Sequence, residues 1–105
     1  MMNICLLLIT YERKRYLKDI FSIFKLLELP AFVYQNLSFK DSYNHKKVKN
    51  LIKKNLKHNN KLKYFAPPEH LDVGSSITYA ISHVSKKFKY VLIVEDDINI
   101  NLLKK

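Results

Sequence analysis

Glycine is nearly missing from this chain, with one residue, Gly74, in 105. Proline is scarce as well, at three residues. So few breakers argue against a loop-rich or all-β fold. There is also no G-x-G-x-x-G and no G-x-x-x-x-G-K-[ST]. Their absence counts against a dinucleotide dehydrogenase and a P-loop nucleotidase. Cysteine occurs once, as Cys5. It cannot close an internal disulfide, so a reducing compartment and a cytoplasmic location are expected. Cys5 lies inside an apolar run and reads as a small core hydrophobe rather than a nucleophile. That run, Ile4 to Ile9, is the longest in the chain and too short to span a bilayer. It follows no basic segment and precedes no small-residue cleavage site, so a signal peptide is not expected. Acids are missing between Asp41 and Glu69, where Lys46, Lys47, Lys49, Lys53, Lys54, Lys57, Lys61 and Lys63 all fall.

This uneven charge, within a net +10, creates a field that attracts polyanions such as nucleic acid, anionic lipid or nucleotide phosphates. Peripheral membrane association is a second expectation for location. The simpler alternative is a solvated lysine-rich helix. Aromatic interleaving is weak, with only Tyr43 and Tyr64 flanking the run, so nucleic acid is the less favoured partner.

What is present suits one small domain over residues 1–105. A chain of this size buries about 60–70% of its unfolded surface, enough for one core. The apolar fraction of 48% is that of a globular protein. Ile4 to Ile9 reads as a first buried strand. A helix follows, with Leu17, Ile20, Phe21, Phe24 and Leu27 on one face, and Pro30 stops it. Ala31 to Tyr34 is a second strand. Ser42 is a candidate cap for a cationic helix with Val48, Leu51, Ile52 and Leu56 on its apolar stripe. Leu62 to Ala66 is a third strand. Asp72 is a candidate cap for a third helix, whose apolar face is Ile77, Ala80, Ile81 and Val84. The last strand, Tyr90 to Val94, is short, apolar and β-branched, as expected for a strand covered on both faces. The order β-α-β-α-β-α-β predicts an α/β fold of three layers, Rossmann-like, with a mostly parallel sheet and right-handed crossovers.

Glu95, Asp96 and Asp97 follow the last strand directly. In open α/β sheets that edge is where ligands bind. Adjacent carboxylates repel one another unless a cation or full solvation relieves them. Oxygen-only donors suit Mg²⁺, Mn²⁺ or Ca²⁺ rather than zinc. The alternative is a solvated acidic turn. A parallel sheet also sets Thr10, Tyr11, Arg13 and Asn36 on the same rim. His45, His58, His70 and His83 lack metal-site spacing.

Two stretches carry a resemblance. Ile4 to Arg13, "ICLLLITYER", followed by an amphipathic helix, resembles the opening strand and "T-x-x-R" turn of GT-A-fold glycosyltransferases. Ile77 to Asp97, "ITYAISHVSKKFKYVLIVEDD", resembles the helix, strand and acidic DXD-type motif of that fold. The E-D-D form is close to that of the N-acetylglucosaminyltransferases acting on N-glycans and of family-2-like bacterial transferases. The resemblance implies a nucleotide-sugar donor, bound through Mn²⁺ or Mg²⁺, and an acceptor glycan or lipid. It implies Asp97 as the direct metal ligand, with Asp96 as a second ligand, and Glu95 and Asp96 near ribose or metal-bound water. It implies Thr10, Tyr11 and Arg13 at the nucleotide, and Asn36 where many relatives carry an Asp for the nucleoside. Ser75 and Ser76 stand where a third-helix N-terminus could face phosphate, with capping as the alternative. Val91 to Asn101 also resembles the opening of a response-regulator receiver domain, but a receiver continues far beyond that strand. In GT-A enzymes the acceptor site and the inverting base come well after the acidic motif, whereas only Ile98 to Lys105 follow here. No catalytic residue is assigned. The expectation is therefore the nucleotide-binding half of such an enzyme, an incomplete domain with an unpaired sheet edge and an exposed apolar face. A complementing chain or a second copy is then an expected partner.

Overall fold

The computed structural model describes residues 3–38 and 42–97. Seven elements alternate in chain order: β1 (Ile4–Thr10), α1 (Leu17–Leu27), β2 (Ala31–Gln35), α2 (Tyr43–Leu56), β3 (Leu62–Phe65), α3 (Val73–Ser85) and β4 (Tyr90–Glu95). The strands form one parallel sheet in the order β3-β2-β1-β4. The chain steps from β1 to β2 to β3 in one direction, then returns past β1 to β4. Right-handed crossovers put α1 and α2 on one face for the outward steps and α3 on the other for the return. The expected three-layer α/β arrangement is the one found.

Two-residue alternation divides the apolar run of β1 between the layers. Leu6 and Leu8 face Leu17, Ile20, Phe21 and Phe24 of α1 and Val48 and Ile52 of α2. Cys5 and Leu7 join Phe32 and Tyr34 against Ala80 and Val84 of α3. Burial raises the Cys5 thiol above its usual pKa, which keeps it neutral in the core. A central parallel strand needs apolar residues on both faces, and β1 and β2 supply them.

Helix boundaries follow local chemistry. The Ser42 hydroxyl accepts from the His45 backbone N–H at 3.1 Å, and Asp72 Oδ1 accepts from that of Ser75 at 2.7 Å. Both expected caps are thus made. The helix N–H of Ser75 holds the Asp72 carboxyl below its ordinary range. α1 has no side-chain cap and closes through Glu28, which adopts a left-handed conformation at φ 56° ahead of Pro30. Leu27, expected on the buried stripe, is half-exposed on the last turn.

β4 departs from expectation. It is an edge strand and not one covered on both faces. Tyr90, Leu92 and Ile93 are 58%, 52% and 41% exposed, while Val91 and Val94 reach the two cores. An uninterrupted apolar run reads alike for a central strand and for an edge strand. Only the pairing order separates them. Residues 98–105, including the C-terminal part of the receiver-like stretch, lie outside the described residues.

Candidate functional site at the carboxyl edge of the sheet

The strand order reverses between β1 and β4, and open α/β sheets bind ligands at the carboxyl ends of strands flanking such a reversal. A cleft of about 580 Å³ opens there. It is bounded by the turn after β1, the turn after β4, the end of β2 and the start of α3.

Thr10 closes β1 with its side chain buried. Its hydroxyl donates to Asp96 Oδ2 at 2.8 Å. Arg13, three residues on, brings Nη1 to 3.3 Å from Asp97 Oδ2 and 3.9 Å from Asp96 Oδ1. The three acids of the E-D-D stretch therefore have different surroundings. Asp96 is buried, Asp97 lies at the lip beside Arg13, and Glu95 is exposed. Burial pushes the Asp96 carboxyl above the usual carboxylate range. The Thr10 hydroxyl, the Arg13 guanidinium and the Tyr11 backbone pull it partly back.

The turn after β1 is braced from below. The fully buried Gln35 amide donates to the carbonyl oxygens of Tyr11 and His45, and its oxygen accepts from the Tyr64 hydroxyl. Glu12 accepts a 2.6 Å hydrogen bond from Ser42, which ties the same turn to the start of α2. The Tyr11 ring meets His45 and His70 edge-on, each at 5.6 Å between centroids. His45 Nε2–H donates to the Asn36 carbonyl at 2.7 Å, and His70 Nδ1–H to that of Leu37 at 2.8 Å.

No family model, curated protein or solved structure matches the chain.

All the residues singled out from the sequence, namely Thr10, Tyr11, Arg13, Asn36, Glu95, Asp96 and Asp97, line the one cleft. The resemblance implies a nucleoside contact at Asn36. Asn36 is committed to the backbone: its NH₂ donates to the Leu71 carbonyl at 2.6 Å, and its oxygen accepts from the N–H groups of Leu71 and Leu37. An Asp could not donate to that carbonyl, which gives a physical reason for asparagine here. Ser76, considered for phosphate, accepts from the buried Tyr34 hydroxyl at 2.9 Å. The N–H of Ser75 is taken by the Asp72 cap.

Sequence reasoning missed Gln35 as the brace of the turn, and it missed His70 and Asp72 as cleft residues. Asp72 carried a usable signal, because a helix that follows a parallel strand begins at the sheet's carboxyl edge. Gln35 carried none, since its partners come from three separate segments.

The cleft is acidic although the chain is strongly basic. Glu12, Asp72, Glu95, Asp96 and Asp97 line it against the single guanidinium of Arg13, and none of the lysines between 46 and 63 reaches it. Among the described residues, no three His, Cys, Asp or Glu side chains are grouped to hold a metal ion. The donor set fits a hard cation that takes one or two carboxylates and fills its remaining positions with phosphate oxygens and water. It does not fit an all-protein metal cage. No helix among the described residues is long and apolar enough to cross a membrane.

Proposed function

We propose that this domain binds a nucleotide-sugar donor at the carboxyl edge of β1 and β4, as the donor-binding part of a GT-A-type glycosyltransferase. The observation that carries the reading is the convergence of the Thr10–Arg13 turn with Asp96 and Asp97, across 86 residues of sequence, at the strand-order reversal. The acidity of the cleft adds a physical requirement. A diphosphate entering among five carboxylates is repelled unless a cation accompanies it.

Asp97 and Asp96 would hold Mn²⁺ or Mg²⁺. Such an ion, when bound, neutralises charge on a leaving nucleoside diphosphate. The chain's own residues then have separable roles. Thr10 orients the Asp96 carboxylate through its hydroxyl. Arg13 is charge-paired with Asp97 and reaches toward the same lip, where a guanidinium can pair with phosphate oxygens bidentately. Tyr11 lines the cleft and is the residue we assign to the base. Gln35 and Ser42 hold the Tyr11–Glu12 turn so that these groups need little reordering on binding.

The test is a calorimetric titration with UDP, GDP and CDP, with and without Mn²⁺, on the full chain and on Asp97→Ala. The expected result is binding of one diphosphate that requires Mn²⁺, disappears with a chelator and is lost in the variant. Binding that ignores metal and falls steeply with salt would overturn the reading in favour of the lysine-rich surface. A folded protein that binds none of the three overturns it outright.

A further inference from the structure

The two edges of the sheet differ in how they are protected. β3 has four residues, carries Lys63 and is followed by Pro67-Pro68, features that discourage pairing with another chain. β4 has none of these. Val91-Leu92-Ile93-Val94 is uncharged, free of proline and exposed at Leu92 and Ile93. Among the described residues nothing pairs with its outer side. We propose that β4 is a homodimer interface, in which two copies of this chain pair their β4 edges antiparallel about Leu92 and join their sheets into one.

The backbone fixes which groups are free. The Tyr90 N–H bonds to the Asn3 carbonyl at 3.0 Å, so Tyr90, Leu92 and Val94 direct their hydrogen-bonding groups toward β1. Val91, Ile93 and Glu95 direct theirs outward. In an antiparallel pair, residues that exchange both hydrogen bonds must each point at the partner strand. The two-fold axis then falls on one of the residues of the strand, and their chemistry selects among registers. Lys89 immediately precedes β4 and Glu95 is its last residue. Pairing about Leu92 brings the Lys89 side chain, just before the strand, beside Glu95 and sets Val91 opposite Ile93 and Leu92 opposite itself. Centring on Ile93 instead sets Glu95 against Val91, and centring on Val91 sets Lys89 against Ile93. Of these three, only the Leu92 register sets Lys89 beside Glu95 while keeping Val91, Leu92 and Ile93 against apolar partners. The surface is self-complementary, as a two-fold interface requires. It also gives the exposed side chains of Tyr90, Leu92 and Ile93 cross-strand neighbours.

Leu92 meets its own copy as a non-hydrogen-bonded pair, with Cα atoms about 4.5 Å apart. That spacing lies within the reach of a disulfide. The experiment is light scattering on the full chain, together with three variants checked for folding by circular dichroism. The expected results are a dimer for the wild type, rapid disulfide-linked dimer for Leu92→Cys under mild oxidation, and a dimer weakened roughly tenfold or more for Lys89→Glu. The exchange Lys89→Glu/Glu95→Lys should restore it, an outcome that a folding defect cannot mimic. The wild-type Cys5 is buried and serves as the control against non-specific oxidation. A monomer at every concentration up to the solubility limit overturns the proposal. So does a dimer that survives Lys89→Glu undiminished, or one in which Leu92→Cys fails to cross-link.

Discussion

Thr10 and Asp96 join the end of β1 to the turn after β4: the threonine hydroxyl donates to the aspartate at 2.8 Å, with both residues buried. A carboxylate taken out of water needs such donors, because each one withdrawn exposes the desolvation cost of the charge. Replacing Thr10 by valine keeps the shape and removes the donor. Thr10→Val should lower stability at neutral pH by about 1–3 kcal/mol. The loss should shrink at acid pH, where Asp96 is protonated and needs the donor less. Urea denaturation at the two pH values measures the difference.

Asp96 itself opposes folding when ionised. Its folded-state pKa lies above the ordinary 3.8, chiefly through burial. The folded protein therefore binds the proton more tightly than the unfolded chain, so stability falls as pH rises from 3.8 through the raised value. Asp96→Asn removes that titration, while the loss of the pair with the largely exposed Arg13 matters little. The variant should melt higher than the wild type near neutrality and lose the advantage in acid, and should lack the proposed metal-dependent nucleotide binding. Melting curves across pH, paired with calorimetry, check both halves. An advantage over the wild type no greater at neutral pH than in acid would refute the account of Asp96.

Asn36 pins the stretch that leads into α3. Asn36→Ala removes three hydrogen bonds to Leu37 and Leu71 and leaves the Leu71 backbone groups to find new partners. A cost of about 1–3 kcal/mol is expected, with faster amide exchange at Leu71. Unchanged exchange there would show that the bridge carries no stability.

If the proposed donor site holds, Arg13 should separate phosphate recognition from base recognition. Arg13→Gln should weaken binding of the nucleoside diphosphate roughly tenfold and leave that of the free nucleoside unchanged. Equal weakening of both would assign Arg13 to the fold of the turn.

Glu28 is the only non-glycine described residue with a positive φ, at 56°. The left-handed region costs a side-chain-bearing residue about 1–2 kcal/mol, which glycine avoids. Glu28→Gly should therefore stabilise the protein by about 0.5–1 kcal/mol without changing ligand binding, as thermal unfolding would read.

The sequence by itself determined the elements and the rim. The continuous apolar run Ile4–Ile9, helical spacing through Phe24, and the caps at Ser42 and Asp72 are local properties, legible because each depends on neighbours a few residues away. The β-α-β order then puts every strand's carboxyl end, and with it Thr10 and Asp96, on one edge. Tertiary structure decided what depends on distant partners. It made β4 an edge strand, because strand order is set by long-range pairing and not by the composition of the strand. It buried Asp96 while leaving Glu95 exposed, because a strand's alternation and the Thr10 hydroxyl act on adjacent acids differently. It committed Asn36 to Leu71 and Gln35 to Tyr11, because a buried amide takes whichever backbone groups the fold brings within reach.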